Sequence, residues 1–344
     1  MSGNTESDAR GAPSVTAARV DTRSLRGILA RLGRFEQLGV LAGLVGTIVI
    51  FSLLSPYFFT VSNLGLLSRL ASLFGIMVVG MTFVMIAGEI DLSVGSIFGL
   101  TSVLAAVYLR DVGTNIWVAV LLGIATGLLC GFLNGALSVV TRVPSIIITI
   151  GTLSIYRGIN WYITRMWSVE DFDKTSAFFT YGIGKLFGAI PYIFIALLIV
   201  AVVGWFVLSR TVFGLHVFAT GTNPNAAVFA GVNTKLVKLA VLTLNGFLAG
   251  LAGMWALSIT GIGDPNGGSG YELDIIAACI VGGTRLGGGA GSVLGSLIGA
   301  FIISGILRNG LILIGVTTSG QIIATGVIVV AAVALDTLVR RKSA

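Results

Sequence analysis

The chain has 344 residues, of which 55% are hydrophobic and only 10% charged, with a mean hydropathy of +1.00. So little charge excludes an ordinary soluble enzyme and points to a polytopic membrane protein. The net charge of +7 does not mark a nucleic-acid binder, because the basic residues gather in the N-terminal stretch, one central loop and the last few residues, as the positive-inside rule distributes them.

Residues 1–35 are polar, rich in Arg, Ser and Gly, and lack apolar periodicity, which predicts a loosely held cytoplasmic tail. The first apolar run starts only near Leu38 and many follow, so no cleaved signal peptide is expected. Hydropathy then predicts about ten membrane spans, each read as a helix. They cover residues 38–54, 70–87, 92–109, 116–140, 145–163, 192–208, 239–259, 273–281, 292–307 and 321–335. The eighth is too short to cross alone and must be broken or extended through the glycines that follow. The expected fold is thus an all-α polytopic membrane protein, with a transmembrane domain over residues 36–338 and a basic C-terminal tail over 339–344. Arg19, Arg23, Arg26, Arg31 and Arg34 precede the first span, which places the N-terminus in the cytoplasm. An even number of spans returns Arg340, Arg341 and Lys342 to the same side. It also puts Arg142, Arg285, Arg210, Lys235 and Lys238 inside and the loop 164–191 outside.

Between the second and third spans runs Gly88-Glu89-Ile90-Asp91-Leu92-Ser93-Val94-Gly95-Ser96, which sets two carboxylates into a nearly charge-free region. A carboxylate at mid-bilayer costs at least ~2.5 kcal/mol, so this pair belongs at a membrane face or in a protein-lined cavity. Asp91 and Ser93 suit the start of a helix, where side-chain oxygens take orphan N–H groups. Capping is the leading reading, and Glu89, Asp91, Ser93 and Ser96 are the candidates for a substrate path beside it.

Two glycine ladders follow. Gly123, Gly127, Gly131 and Gly135 repeat every four residues in the fourth span, and Gly287, Gly291, Gly295 and Gly299 do so on entering the ninth. Such spacing lays small residues along one stripe, where another helix backbone can approach. The ladders lie five spans apart, so their helices run in opposite directions. This predicts an inverted repeat that matches spans two to five with spans seven to ten.

The loop after the sixth span has the punctuation of a short helix. Asn223 suits the N-cap, Pro224 the first helical position and Gly231 the position after the end. A helix of about two turns is unstable unless it packs on something. It either packs on its own spans or presents Ala226, Ala227 and Phe229 as a plug for a cytoplasmic partner.

No catalytic constellation is visible. His216 is the only histidine, no phosphate-binding Gly-x-x-x-x-Gly-Lys-Ser/Thr motif occurs, and Gly182-Ile183-Gly184-Lys185 is only an echo of one. Cys130 and Cys279 lie in apolar runs and read as packing residues, so neither a metal nor a cofactor is expected.

Several stretches in order carry a resemblance: 88–96; Val143-Pro144-Ser145-Ile146-Ile147-Ile148-Thr149 with Gly151-Thr152-Leu153; 221–231; Tyr271-Glu272-Leu273-Asp274 leading to Gly282-Gly283-Thr284; and Asn309-Gly310. Together they resemble the sugar-type ABC importer permeases, the branch with ribose and xylose permeases, over residues 38–338. The resemblance implies a multi-pass permease of the cytoplasmic (inner) membrane that passes a small sugar or polyol across the lipid bilayer. It implies a second permease copy, identical or paralogous, a cytoplasmic ATP-binding subunit that hydrolyses the ATP, and an extracytoplasmic sugar-binding protein. By position, Gly221, Asn223, Pro224, Ala226, Ala227, Phe229 and Gly231 become the segment coupled to the ATPase. Asp274 joins Glu89, Asp91, Ser93 and Ser96 as a translocation-path or cap residue. A secondary transporter is the alternative, since inverted repeats and broken helices mark those too.

Overall fold

A computed structural model describes residues 36–341. The expected tail 1–35 and Lys342 lie outside the described residues. The chain is α1 Glu36–Leu54, α2 Val61–Ile86, α3 Val94–Asp111, α4 Ile116–Thr141, α5 Ser145–Thr164, α6 Ala177–Ile183, α7 Tyr192–Arg210, α8 Val212–Thr222, α9 Pro224–Phe229, α10 Thr234–Thr260, α11 Tyr271–Val281, α12 Val293–Leu313 and α13 Thr318–Arg341. Between α6 and α7 a two-residue antiparallel pair, β1 Lys185–Leu186 and β2 Ile190–Pro191, closes a hairpin. A helix occupies each apolar run read from the sequence. Among the described residues six helices, α2, α3, α4, α7, α10 and α12, are long and apolar enough to cross a membrane.

Caps explain where the helices depart from the hydropathy boundaries. α2 starts at Val61 rather than Leu70, because Thr60 Oγ1 accepts the Asn63 N–H. α10 starts at Thr234 rather than Leu239, because Asn233 Oδ1 accepts the Leu236 N–H. Lys235 and Lys238, expected in a loop, therefore lie in the first turns of α10. α13 continues through Arg341, so residues 339–341 are helical rather than tail.

The core is built on α2 and α10. Every residue of α2 from Phe74 to Ile86 is buried. α4 lies along α10, α12 lies along α2, and α3 packs on α4, α5 and α10. The outer faces of α4 and α7 leave Leu121, Leu128, Phe132, Val202 and Phe206 exposed, as helices bathed in hydrocarbon should.

The first glycine ladder makes the α4–α10 contact. A side chain at Gly127 would strike the Gly246 carbonyl and the Gly250 backbone, and one at Gly131 would strike the Leu242 carbonyl. Gly123 faces Met254 and Gly135 faces Leu239. The second ladder is not one stripe. Gly295 and Gly299 sit on α12 against the backbone of α11, but Gly287 and Gly291 precede the helix. Gly288, Gly289 and Gly291 all have positive φ, so the chain turns here and helical periodicity does not apply.

At one end of the bundle the turn after α2, the α8–α9 segment and the turn between α11 and α12 converge. At the other, Val169 and Gly263 exchange backbone hydrogen bonds of 2.9 and 2.8 Å, and Ser258 Oγ donates to the Phe178 carbonyl, so the loop before α6 is tied to the end of α10.

Candidate functional site

Gly88 ends α2 with φ 80, and residues 88–93 then run as irregular backbone into the interior before α3 begins. Irregular backbone at membrane depth persists only where protein satisfies it. Here α5 does so: Ser145 Oγ accepts the Ile90 N–H at 3.1 Å and Thr149 Oγ1 accepts the Leu92 N–H at 3.1 Å. The segment delivers Asp91 to a position with no solvent exposure.

Three donors meet the Asp91 carboxylate. The Ser93 N–H and hydroxyl reach Oδ1 at 2.9 and 2.7 Å, and Asn245 Nδ2 from α10 reaches Oδ2 at 2.9 Å. Asn134 on α4 donates to Ser93 Oγ at 2.7 Å, and the Tyr156 hydroxyl on α5 donates to Asn134 Oδ1 at 3.1 Å. The result is one hydrogen-bonded chain that ties α4, α5 and α10 to the stretch ahead of α3. The cap expected at α3 takes a different form. Ser93 holds the N-cap position but makes no side-chain cap bond, because its hydroxyl is committed to Asp91. Asp91 turns back onto its own i+2 residue as an Asx turn and is bound to α10 besides. Ser96 is buried and donates to the Ser93 carbonyl at 2.8 Å. Glu89, also buried, forms an ion pair with Lys238 on α10.

Asp274 belongs to a separate cluster. Arg308 Nη1 stands 3.4 Å from Asp274 Oδ2 and over the rings of Phe74 and Tyr271. A π-helical stretch, Phe301–Leu307, precedes Arg308 in α12. Next to this cluster, residues 261–270 fold inward ahead of the short α11. Arg157 on α5 donates to the Pro265 and Gly267 carbonyls at 3.1 and 2.8 Å, and Trp161 Nε1 donates to Asn266 Oδ1 at 3.0 Å. Gly95 and Gly99 on α3 leave the room: a side chain at either would strike the backbone of this loop and meet Glu272 or Asn160. Asn160 has no solvent exposure, and neither of its amide atoms has a partner.

Asn134, Asn245, Tyr156, Arg157 and Asn160 did not stand out in the sequence. The available signal was their polarity inside apolar runs, which marks interhelical hydrogen bonds or functional sites in membrane proteins.

The short helix α9 follows its punctuation. Asn223 Oδ1 accepts the Ala226 N–H at 3.0 Å, Pro224 opens the helix and Gly231 has φ 84. Its orientation corrects one expectation. Ala227 turns inward and is 4% exposed, whereas Ala226, Val228 and Phe229 face out, Phe229 at 91%. Ala227 is thus a packing residue of α9 against its own subunit.

Comparison with known proteins places the chain in a family. The family described as the branched-chain amino acid transport system / permease component matches residues 63–333. The ribose import permease protein RbsC of Bacillus subtilis (strain 168) is 36% identical over 312 residues, covering 91% of this chain and 95% of that protein. Its counterpart in Escherichia coli (strain K12) is 38% identical over 303 residues, covering 88% and 93%. The xylose transport system permease protein XylH of Haemophilus influenzae is 33% identical over 340 residues, covering 81% and 90%. No solved structure matches. With nearly its whole helical bundle matched, the chain belongs to the family of transport-system permease components.

Proposed function

We propose that the chain is the membrane subunit of an ATP-driven importer of a small sugar of the ribose or xylose kind. The relatives' names supply the substrate class, and α9 supplies the mechanism of energy input. In this reading about ten helices cross the membrane, both termini are cytoplasmic, and a second copy or paralogue completes the pore. An extracytoplasmic binding protein brings the sugar to the 164–191 side. A cytoplasmic ATP-binding subunit receives α9.

The observation that carries the docking role is Phe229. A large apolar side chain 91% exposed on a capped helix offers a partner an anchor to cover. The charges around it, Arg210, Lys235 and Lys238, lie on the side that the positive-inside rule assigns to the cytoplasm. The half-spanning α11 and the inward stretch 88–93 occur in secondary transporters as well, but those need no docking helix.

The inverted repeat also belongs to this reading. α2 and α10 each end in an irregular stretch that folds inward and starts a shorter helix. Each stretch meets the other half's long helix near its middle, Asp91 at Asn245 and Tyr271 at Phe74. The glycine ladders do not support it, since α4 faces α10 with its ladder while α12 faces α11.

The test is co-purification of the ATP-binding subunit with Ala226→Arg and Phe229→Asp variants, alongside uptake of radiolabelled ribose and xylose in whole cells. Both variants should insert normally, lose the ATPase and lose uptake. Full uptake in both would rule out α9 as the docking element.

A further inference from the structure

Three glycine-rich segments meet at the end of α8, just ahead of α9. A side chain on Gly221, in the last turn of α8, would lie 2.7 Å from the Gly289 nitrogen and would strike the Ile86 carbonyl. One on Gly288 would lie 2.8 Å from Gly88 Cα and 3.0 Å from the Gly221 oxygen. One on Gly289 would lie 2.6 Å from Thr222 Oγ1 and 2.9 Å from Thr222 Cα. The Gly289 N–H donates to the Ile86 carbonyl at 2.9 Å, which ties the α11–α12 turn to the end of α2. Gly88, Gly288 and Gly289 have φ of 80, 80 and 76, a conformation glycine adopts without strain. Between Gly88, Gly221 and Gly288 the contact is therefore backbone on backbone, and at Gly289 the Thr222 hydroxyl joins it.

What lies on either side gives the contact its meaning. Asn223, the N-cap of α9, follows Gly221 by two residues. Glu89, with its Lys238 ion pair, is the next residue after Gly88, and Asp91, with its bonds to Ser93 and Asn245, follows shortly. The turn that carries Gly288 and Gly289 connects α11 to α12. A side-chain contact can absorb a push by changing rotamer, whereas two backbones in van der Waals contact cannot.

We propose that Gly221, Gly88, Gly288 and Gly289 are positioning residues forming a backbone joint, through which displacement of α9 moves the Asp91 segment and the α11–α12 pair together. The proposal rests on α9 being the docking element. The joint converts one docking event at the membrane face into coordinated movement of the two inward-folded stretches, one in each half of the bundle. A Cβ at Gly221 or Gly289 pries the joint open and disconnects docking from the interior.

The experiment uses the full chain co-expressed with its ATP-binding subunit and reconstituted with its binding protein, with radiolabelled ribose and xylose as probes. Gly289→Ala should co-purify with the ATPase and keep basal ATP hydrolysis, while binding-protein-stimulated hydrolysis and uptake both fall at least tenfold, and Gly221→Ala should lose the same stimulation and uptake. Gly88→Ala would meet Gly221 Cα at 3.6 Å, an ordinary contact, but its φ of 80 strains any side chain, so a loss there reports the turn rather than the joint. Gly46→Ala, with nothing within 4 Å, should behave as wild type. A merely structural role would lower basal hydrolysis, assembly and uptake together, and that result overturns the joint. So does full uptake in Gly221→Ala with the ATPase attached. If Gly221→Ala does not accumulate, Gly289→Ala decides, and wild-type stimulation and uptake there overturn the proposal. Failure of the docking reading looks different: the ATPase then stays bound to Ala226→Arg and Phe229→Asp.

Discussion

Asp91 has no solvent exposure and is held by three donors, so its replacement can be worked out atom by atom. In Asp91→Asn one oxygen still accepts from Ser93. The new amide faces Asn245, whose own Oδ1 has no partner and accepts after its amide rotates. Asp91→Asn should therefore keep the protein folded with little change in thermal stability. Asp91→Ala strands the Ser93 and Asn245 donors, at about 1–3 kcal/mol for each buried group left unpaired. Thermal unfolding of the detergent-solubilised protein distinguishes the two. Full stability in Asp91→Ala would show that water replaces the carboxylate. Full stability but lost uptake in Asp91→Asn would assign the charge a direct part in transport. The sequence marked Asp91 because charge is rare there. It gave no way to name Asn134 or Asn245, since what pairs them with the Ser93–Asp91 turn is the crossing of α4 and α10. The same holds for Arg157, whose acceptors are backbone carbonyls of a loop far along the chain.

At the scale of elements, what was legible was whatever local chemistry decides. Asn223, Pro224 and Gly231 specify α9 by themselves. The ladder on α4 specifies a close helix contact, though not that α10 supplies it. The second ladder misled because regular spacing carries meaning only inside a helix, and positive-φ glycines turn the chain before α12 begins. The face that α9 hides also depends on what packs below it, so Ala227 could not be told from Ala226. The α4–α10 contact yields a sharp expectation. Gly127→Leu pushes a side chain into the Gly246 carbonyl and the Gly250 backbone, neither of which can move aside, and Gly295→Leu does the same against the Gly282 carbonyl. Both variants should give little folded protein by fluorescence-detected size-exclusion chromatography. Gly326→Leu, which meets nothing within 4 Å, should accumulate normally. Normal yields for Gly127→Leu would mean that the two helices separate at no cost, contrary to this packing.

For the whole molecule, the positive-inside rule predicts the membrane sidedness, and the structure supplies reporters to test it. The bundle has two ends. One carries α9 and the α11–α12 turn, and the other carries residues 164–191 with α6 and the hairpin. Lys and Arg within the connecting loops divide too evenly to orient the chain. The bias comes from Arg19, Arg23, Arg26, Arg31 and Arg34 ahead of α1 and from Arg340, Arg341 and Lys342 at the C-terminus. Positive charge flanking spans is retained on the cytoplasmic side, so the α9 end should face inward. Phe229 and Phe187 are the natural reporters, one at each end, exposed at 91% and 92%. Cys130 and Cys279 are both buried and contribute little background to thiol labelling. Phe187→Cys should react with a membrane-impermeant maleimide in intact cells. Phe229→Cys should react only after the membrane is opened, and less when the ATP-binding subunit is bound, because that subunit then covers it. Labelling of Phe229→Cys in intact cells would invert the molecule and place α9 where no ATPase could reach it.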